Sequence, residues 1–484
     1  MSSPGREVDS QRGDTTVIHA APRLRAGDLL RVRAVWVTPL AVASVLVFLM
    51  TLFYIGSVVN PVGHLSGLPV ALADEDQGAT VLGQHVDIGA QVVSGLQHST
   101  AVSSRLSLHA VSLAQAESQM RSNDAYATIV IPPGFTASLL SAYGLTPAST
   151  SPGGKPTVRL LTNPRSGSIG VELATGVAEP GLHAASLEVG HQLTEEAAKL
   201  GRTPGAGVSA ANPLTVATSA FDPVPPNSAL GLSAFYISLL AIMCGFLGAI
   251  LINTTVDAAL GYGTTEIGPK WSQRMPVAIS RWHTLLSKWV VAVVIVPVLT
   301  GVLLLVAVGL LHMDAPFVGE LWLFTSFAGI VVALGTLALF AGLGALGQMI
   351  ALLIFVYLAL ASSGGTIPLE ALPSALRFVA NFEPLRQILD AVRAILYFGA
   401  AGNAGLTRGL VMTTIGLVFW LVVGFAATTW YDHKGLDRAP PELLDYVHQS
   451  ALAYTGGAPA PEPAGGAGPT TASPGSGDPD VGNP

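Results

Sequence analysis

The sequence predicts a multi-pass α-helical membrane protein of six spans, with an α/β (α+β) domain inserted outside the membrane between spans 1 and 2. Three observations carry this. Half of the 484 residues are hydrophobic and 11% are charged, against about 25% charged in an ordinary soluble domain, and the mean hydropathy is +0.55. The missing charges are missing in blocks, and a block of about 20 apolar residues is what a helix needs to cross a hydrocarbon core of ~30 Å. Between the first two blocks lies a long stretch in which strand-like and helix-like runs alternate, the pattern of a sheet covered by helices.

In chain order, charge is absent from Ala34–Ala73, Pro223–Val256, Trp289–Met313, Leu321–Leu369 and Gly409–Tyr431. The fourth block is too long for one crossing, since as a single helix it would run roughly 70 Å. It has to fold back, and the small residues of Ala341-Gly-Leu-Gly-Ala-Leu-Gly-Gln348 mark the turn. The predicted spans are 35–57, 229–252, 286–311, 321–341, 346–363 and 409–431. Arg23, Arg25, Arg31 and Arg33 precede span 1, Lys270, Arg274, Arg281 and Lys288 lie between spans 2 and 3, and Lys434 and Arg438 follow span 6. Basic residues favour the cytoplasmic side, so both termini are expected there. Arg377, Arg386, Arg393 and Arg408 run against the rule, because six crossings place them outside. Span 1 is too long for a cleavable signal and reads as a signal anchor.

The expected organisation is therefore a cytoplasmic tail 1–33, span 1 at 34–57, an extracytoplasmic domain 58–227, a five-span membrane domain 228–435 and a cytoplasmic tail 436–484. The membrane domain contains a cytoplasmic loop 253–285 and an external re-entrant or interfacial segment 364–408. The tail from Gly456 is rich in Gly, Pro and Ala and is expected to be disordered. The basic stretch Arg23–Trp36 reads as topogenic charge or an amphipathic segment on the inner leaflet. In the outside domain, strands are expected at Leu68–Ala73, Arg105–Ala110, Ala125–Ile131 and Thr157–Leu161. Helices are expected at Gly83–Leu96, Ser112–Arg121, Phe135–Ala142 and about Ser168–Leu200.

Several chemistries are excluded. The chain carries no G-x-x-x-x-G-K-[ST], no H-E-x-x-H and no G-x-S-x-G. Its single cysteine, Cys244, cannot form an internal disulfide, and no two of its eleven histidines lie three or four residues apart. Gly342-x-Gly-x-x-Gly347 has the spacing of a dinucleotide fingerprint but sits between apolar spans with no strand before it, so close helix packing explains it better. The net charge of −7 gives no reason to expect nucleic acid as a partner. No enzyme, no cofactor and no metal site is expected, and no acidic or basic residue falls mid-span to suggest ion coupling.

Three segments carry information. The loop after span 2 holds Asp257, Glu266, Lys270, Trp271, Arg274 and Arg281, with a short amphipathic helix expected before span 3. It reads either as a coupling element for a cytoplasmic partner or as an interfacial loop anchored by Trp and Arg. Span 5 ends in Ser362, Ser363, Gly364, Gly365 and Pro368, which break the helix, and Glu383, Pro384, Arg386 and Arg393 follow. Arg386 and Arg393 are seven apart and share a helix face. Broken helices at membrane depth persist only where protein or a cavity covers them, so this is a candidate external gate or a structural hairpin. Asp74, Glu75 and Asp76 follow a strand as a candidate contact of the outside domain, or as a solvated turn capping the next helix.

Four blocks resemble a known family. Leu68-Pro-Val-Ala-Leu-Ala-Asp-Glu-Asp-Gln-Gly78 and Asp124-Ala-Tyr-Ala-Thr-Ile-Val-Ile-Pro-Pro-Gly-Phe135 are similar to two strand motifs of the phage-infection-protein (YhgE/Pip) group, a relative of the nitrosoguanidine-resistance proteins. Ala259–Arg281 and Ser362–Pro368 with Phe382–Arg386 and Ala391–Arg393 resemble its loop after span 2 and its block after span 5. These proteins look like distant kin of type-2 ABC exporter permeases. The resemblance implies one span, an outside domain and five further spans. By analogy it implies a homodimer in the lipid bilayer, a separate cytoplasmic ATPase subunit, and export of an amphiphile, lipid or toxic compound. The alternative is a non-transporting scaffold or receptor that presents 58–227 to an envelope partner.

Overall fold

Six helices among the described residues of the computed structural model are long and apolar enough to cross a bilayer. The structure describes residues 31, 33–81, 84–146, 155–205, 208, 209, 211, 213–436 and 438. The tail expected to be disordered and the residues of the basic stretch before Arg31 lie outside them. Residues 1–53 and 54–484 form two units. The first contributes most of α1 (Arg33–Val58), whose apolar run contains Pro39.

After the end of α1 and a single helical turn at Pro61–His64, the second unit continues with β1 (Leu68–Asp74), then β2 (Ala79–Val81) and β3 (Gln84–Val86), an antiparallel hairpin. This corrects the expected helix Gly83–Leu96. The helix, α2 (Ile88–His98), starts only where Asp87 caps it by accepting the N–H of Ala90. β4 (Leu106–Ala110), α3 (Leu113–Arg121), β5 (Ala127–Ile131), α4 (Phe135–Ala142), β6 (Thr157–Thr162), α5 (Ser168–Lys199) and β7 (Thr215–Ala220) complete the domain. Five strands form one mixed sheet in the order β4-β1-β5-β6-β7, parallel except at β5–β6. Ala71, Ala73 and Val130 pack on Ala116 of α3. Side chains alternate along a strand, so Val70 and Leu72 face the other side, and both are fully buried.

The bundle consists of α6 (Ser233–Ala259), α7 (Arg281–Leu304, continued by a π turn Leu305–Leu310), α8 (Val318–Leu343), α9 (Ala345–Leu352, continued to Ser362 through a second π turn) and α12 (Leu406–His433). Between the last two lie α10 (Ser374–Val379) and α11 (Pro384–Tyr397). The expected turn between spans 4 and 5 is present, at Gly344, which takes φ +59°. α8 is the central helix, with Phe324, Val332 and Leu337 among its buried residues. Small residues bring its neighbours close, the usual solution where lipid gives no hydrophobic drive for helix association. A Cβ on Gly245 of α6 would collide with the carbonyl of Gly329, and one on Gly335 would come 2.8 Å from the Trp420 ring. Leu240, Leu247 and Leu251 on α6, and Val411, Ile415, Val418 and Val422 on α12, are exposed at helical spacing, as lipid-facing stripes are.

The segment 364–408 is not a loose interfacial helix. α11 is nearly enclosed and packs against α6, α8 and α12. The α/β domain rests on the same end, since Arg165 donates to the Tyr397 carbonyl (3.1 Å) and Arg377 to the Ser66 hydroxyl (3.2 Å).

Candidate functional site

α6 runs from the domain end to the opposite end of the bundle, about 40 Å for its 27 residues. Ser233 at its start shares a 2.6 Å hydrogen bond with the Tyr397 hydroxyl, and Asp257 lies near its finish. The sequence-predicted residues divide between these two ends.

At the finish of α6, a cleft of about 630 Å³ is lined by Asn253, Asp257, Arg281, Lys288, Tyr431 and Arg438 together with the Gly344 turn. Asp257 Oδ1 accepts from Lys288 Nζ at 2.7 Å and from Arg438 at 2.6 Å, and Lys288 Nζ also reaches Asn253 Oδ1 at 2.7 Å. Lys288 is 7% exposed and Asp257 15%, so this is a nearly buried network with two cations on one carboxylate. Arg438, expected in the tail, covers the Tyr262 ring. Arg281 stacks over Tyr431 and donates to the Leu436 carbonyl at 2.6 Å. Asp432 accepts the N–H groups of Arg281 (3.0 Å) and Trp282 (3.1 Å), so the end of α12 caps the start of α7. Asp257 and Arg281 are thus parts of the bundle rather than of an exposed loop.

The exposed element is different. β8 (Thr264–Ile267) and β9 (Lys270–Gln273) form an antiparallel hairpin, and the helix expected before span 3 is not separate, since α7 itself starts at Arg281. Gly268 takes φ +57° and Pro269 follows, the arrangement of a type II′ two-residue turn. Glu266 pairs with Trp271, and Ile267 with Lys270. Ile267 (73%) and Trp271 (63%) are exposed, with Glu266, Lys270 and Arg274 around them. Four-residue strands carry too little periodicity to be read from sequence, but the Gly-Pro pair was a turn signal.

At the domain end, a cavity of about 330 Å³ lies between the sheet domain and 363–408. Of the predicted gate residues, Ser363, Gly364, Arg386 and Arg393 line it, joined by Tyr126, Glu370, Asp390 and Arg408. The others hold it together. Ser362 is buried and donates to Leu358. Gly365 leaves no room for a Cβ under Phe235. Pro368 leads into the turn Leu369–Ala371. Pro384 occupies the first turn of α11, and buried Glu383 caps that helix by accepting the N–H groups of Leu385 (2.5 Å) and Arg386 (2.9 Å). Burial pushes the Glu383 carboxyl up to about 7, against the two N–H bonds and the nearby Arg386 charge. Burial likewise raises the Glu370 carboxyl and the Tyr126 hydroxyl and lowers Arg386.

The arginines that ran against the charge rule are built into this end. Arg377 donates to the carbonyls of Leu369 and Glu370, Arg386 lies 3.6 Å from Asp390, and Arg408 donates to Gln387 Oε1. Sequence reasoning passed over Tyr126, Glu370 and Asp390. Asp390 was accessible as the i+4 partner of Arg386, whereas the convergence of Tyr126 and Glu370 is tertiary.

Of the acidic turn, Glu75 and Asp76 are helix caps, but not of the next helix, and Asp74 closes the turn itself. Glu75 accepts the Leu113 N–H (3.2 Å) at the start of α3 and Asp76 that of Thr136 (3.1 Å) in α4, with the Thr136 hydroxyl donating to Asp76 as well. Asp74 accepts the Asp76 N–H (3.0 Å), and its carboxyl is raised chiefly by burial. Among the described residues, no group of three or more His, Cys, Asp or Glu could hold a metal ion.

A family model described as an ABC-2 family transporter protein matches residues 33–426, from α1 through most of α12. No curated protein and no solved structure matches the chain. With the match covering both the inserted sheet domain and the helical bundle, the chain belongs to the ABC-2 family of transporter proteins, as a multi-pass permease-like membrane component.

Proposed function

We propose that this chain is the permease subunit of a type-2 ABC exporter that moves an amphiphile outward, and that a separate ATPase subunit docks on the hairpin 264–273. The family match over 33–426 carries the reading. The end of the bundle bearing the hairpin is the cytoplasmic one in this proposal. Lys270, Arg274, Arg281, Lys288, Lys434 and Arg438 gather there, while Arg377, Arg386 and Arg408 of the other end are tied into hydrogen bonds or an ion pair. The hairpin offers a partner an exposed aromatic, Trp271, beside Glu266 on one face, and an exposed aliphatic, Ile267, beside Lys270 on the other. The cavity at 363–408 lies on the exit side. Two copies in the bilayer would form the translocation unit, and placement near the phage-infection-protein group belongs to the same proposal.

The test is a mild-detergent pull-down of tagged full-length protein with mass spectrometry of what accompanies it. A nucleotide-binding subunit should co-purify, and Trp271→Ala with Arg274→Ala should reduce its recovery at least tenfold without lowering the yield of the folded chain. Arg281→Ala is a poor docking probe, because Arg281 is spent on Leu436 and Tyr431. Recovery of an envelope protein bound through 58–227, with no ATPase, would replace this reading with a scaffold.

A further inference from the structure

The cavity at the domain end holds an unusual concentration of unmet polar groups. Among the described residues, eight buried side-chain polar atoms have no hydrogen-bond partner, and four of them (Asn123 Oδ1, Glu370 Oε2, Arg386 Nε and Arg393 Nε) belong to residues that line it. Buried polar groups are normally satisfied, and leaving one unpaired is unfavourable, most of all for a charge. Arg393 is the extreme case. It is 6% exposed, and no ion pair joins it to a described carboxylate. Arg386 has Asp390 and Arg408 has Gln387. Three carboxyls also line the cavity, but none is paired with Arg393: Asp390 lies against Arg386, Asp124 accepts from the Ser122 hydroxyl, and Glu370 has its ionised form disfavoured by burial.

A second positive group lies beside Arg393. α5 is 32 residues long, and Gly167 at its N-cap supplies no side-chain cap. The Arg393 guanidinium lies 3.7 Å from where a Gly167 Cβ would stand. The positive end of a long helix therefore lies beside the Arg393 guanidinium, although its first residues line a separate small cleft with Gly364 and Thr366 rather than this cavity. Arg386 and Arg408 add two further guanidinium groups, and several planar donors on one cavity match a phosphate's oxygens better than a single-charge carboxylate. The volume of about 330 Å³ accommodates a headgroup, not a whole lipid.

We infer that this cavity is a binding site for a phosphate group, either free or as the headgroup of the transported amphiphile, with Arg393 as its principal ligand and Arg386 and Arg408 at its flanks. Calling the ligand cargo rests on the exporter reading, but the binding itself does not. An occupied site would neutralise Arg393 and join the sheet domain to α11, so occupancy should stiffen the junction of domain and bundle.

The experiment is thermal unfolding of the purified full-length chain in an uncharged detergent at constant ionic strength. Inorganic phosphate, dioctanoyl phosphatidic acid and, as the phosphate-free control, dioctanoylglycerol are titrated separately. The expected result is a saturable rise in unfolding temperature with phosphate or phosphatidic acid and none with dioctanoylglycerol. Arg393→Gln should weaken the apparent affinity at least tenfold, Arg393→Lys less, and Arg274→Gln at the far end not at all. In the absence of anion, Arg393→Gln should unfold at the same temperature as the parent or higher, since it removes an unpaired buried charge. A response to inorganic phosphate identifies the free anion as sufficient, and a response to phosphatidic acid alone identifies a lipid headgroup. No saturable response to either, or one that Arg393→Gln leaves unchanged, overturns the inference. The pull-down reads the opposite end of the bundle, so loss of the ATPase result and loss of phosphate binding are separable.

Discussion

Two residues that look alike in the sequence, Asp257 and Glu266, do different work. Both are acidic residues of the loop after span 2, yet Asp257 holds Lys288 and Arg438 inside a cleft while Glu266 stands on an exposed hairpin. Removing one member of a nearly buried ion network leaves the others uncompensated, which costs about 3–5 kcal/mol. Asp257→Ala should therefore lower stability by roughly 3 kcal/mol in a denaturing-detergent titration, and Asp257→Ala with Lys288→Met should recover more than half of that. Glu383 makes a pH prediction. Below about pH 4.5 its carboxyl is protonated in the folded and unfolded chain alike. Between there and about 7 the unfolded chain gives up the proton and the folded chain keeps it, so stability falls as pH rises through that interval and is lowest above it. The loss should be on the order of 2–3 kcal/mol, and Glu383→Gln, which keeps an acceptor for the Leu385 N–H, should flatten the slope. Of the candidate residues, Arg386 and Arg393 were legible as one helix face of a candidate gate, because a seven-residue spacing says so. That Arg386 has a partner was readable from Asp390 at i+4, whereas the buried setting of Arg393 beside Gly167 is one that only the fold assembles.

At the scale of elements, the spans were legible because a bilayer demands long charge-free blocks. The helices overrun the predicted ends by up to seven residues, as at Ser233–Ala259 against 229–252. Helices continue past the apolar core into the interface, where composition no longer marks them. The short strands were not legible. β2, β3, β8 and β9 have three or four residues each, and β7, Thr-Val-Ala-Thr-Ser-Ala, is mostly exposed at the sheet edge, so no buried face imposed alternation on it. The glycine contacts between helices could be suspected from composition, but their pairing could not. Gly245→Val should drive a side chain into the Gly329 backbone and lower stability by about 1–3 kcal/mol, read as reduced folded yield in detergent, whereas Gly268→Ala, with open space around it, should affect only the hairpin.

For the whole molecule, the two ends of the bundle present different surfaces. One end presents an exposed two-stranded hairpin beside a charged cleft, and the other encloses a basic cavity under a sheet domain. α6, α8 and α12 run between them, and α11 packs on all three. In the proposed exporter, a partner on the hairpin would push toward Asp257 and Lys288 at the feet of α6 and α7, while the cavity touches α11 at the opposite end. The central claim is that an ATPase docks on the hairpin. Because Cys244 is the chain's single cysteine, a Cys244→Ala background permits one reactive site at a time. The decisive measurement is thiol-directed photo-crosslinking in membranes from Lys270→Cys on the hairpin and from Ala217→Cys on the exposed edge strand β7. The account predicts a crosslinked nucleotide-binding subunit from Lys270→Cys and none from Ala217→Cys. No such product from the hairpin, or the same product from the sheet domain, would contradict it.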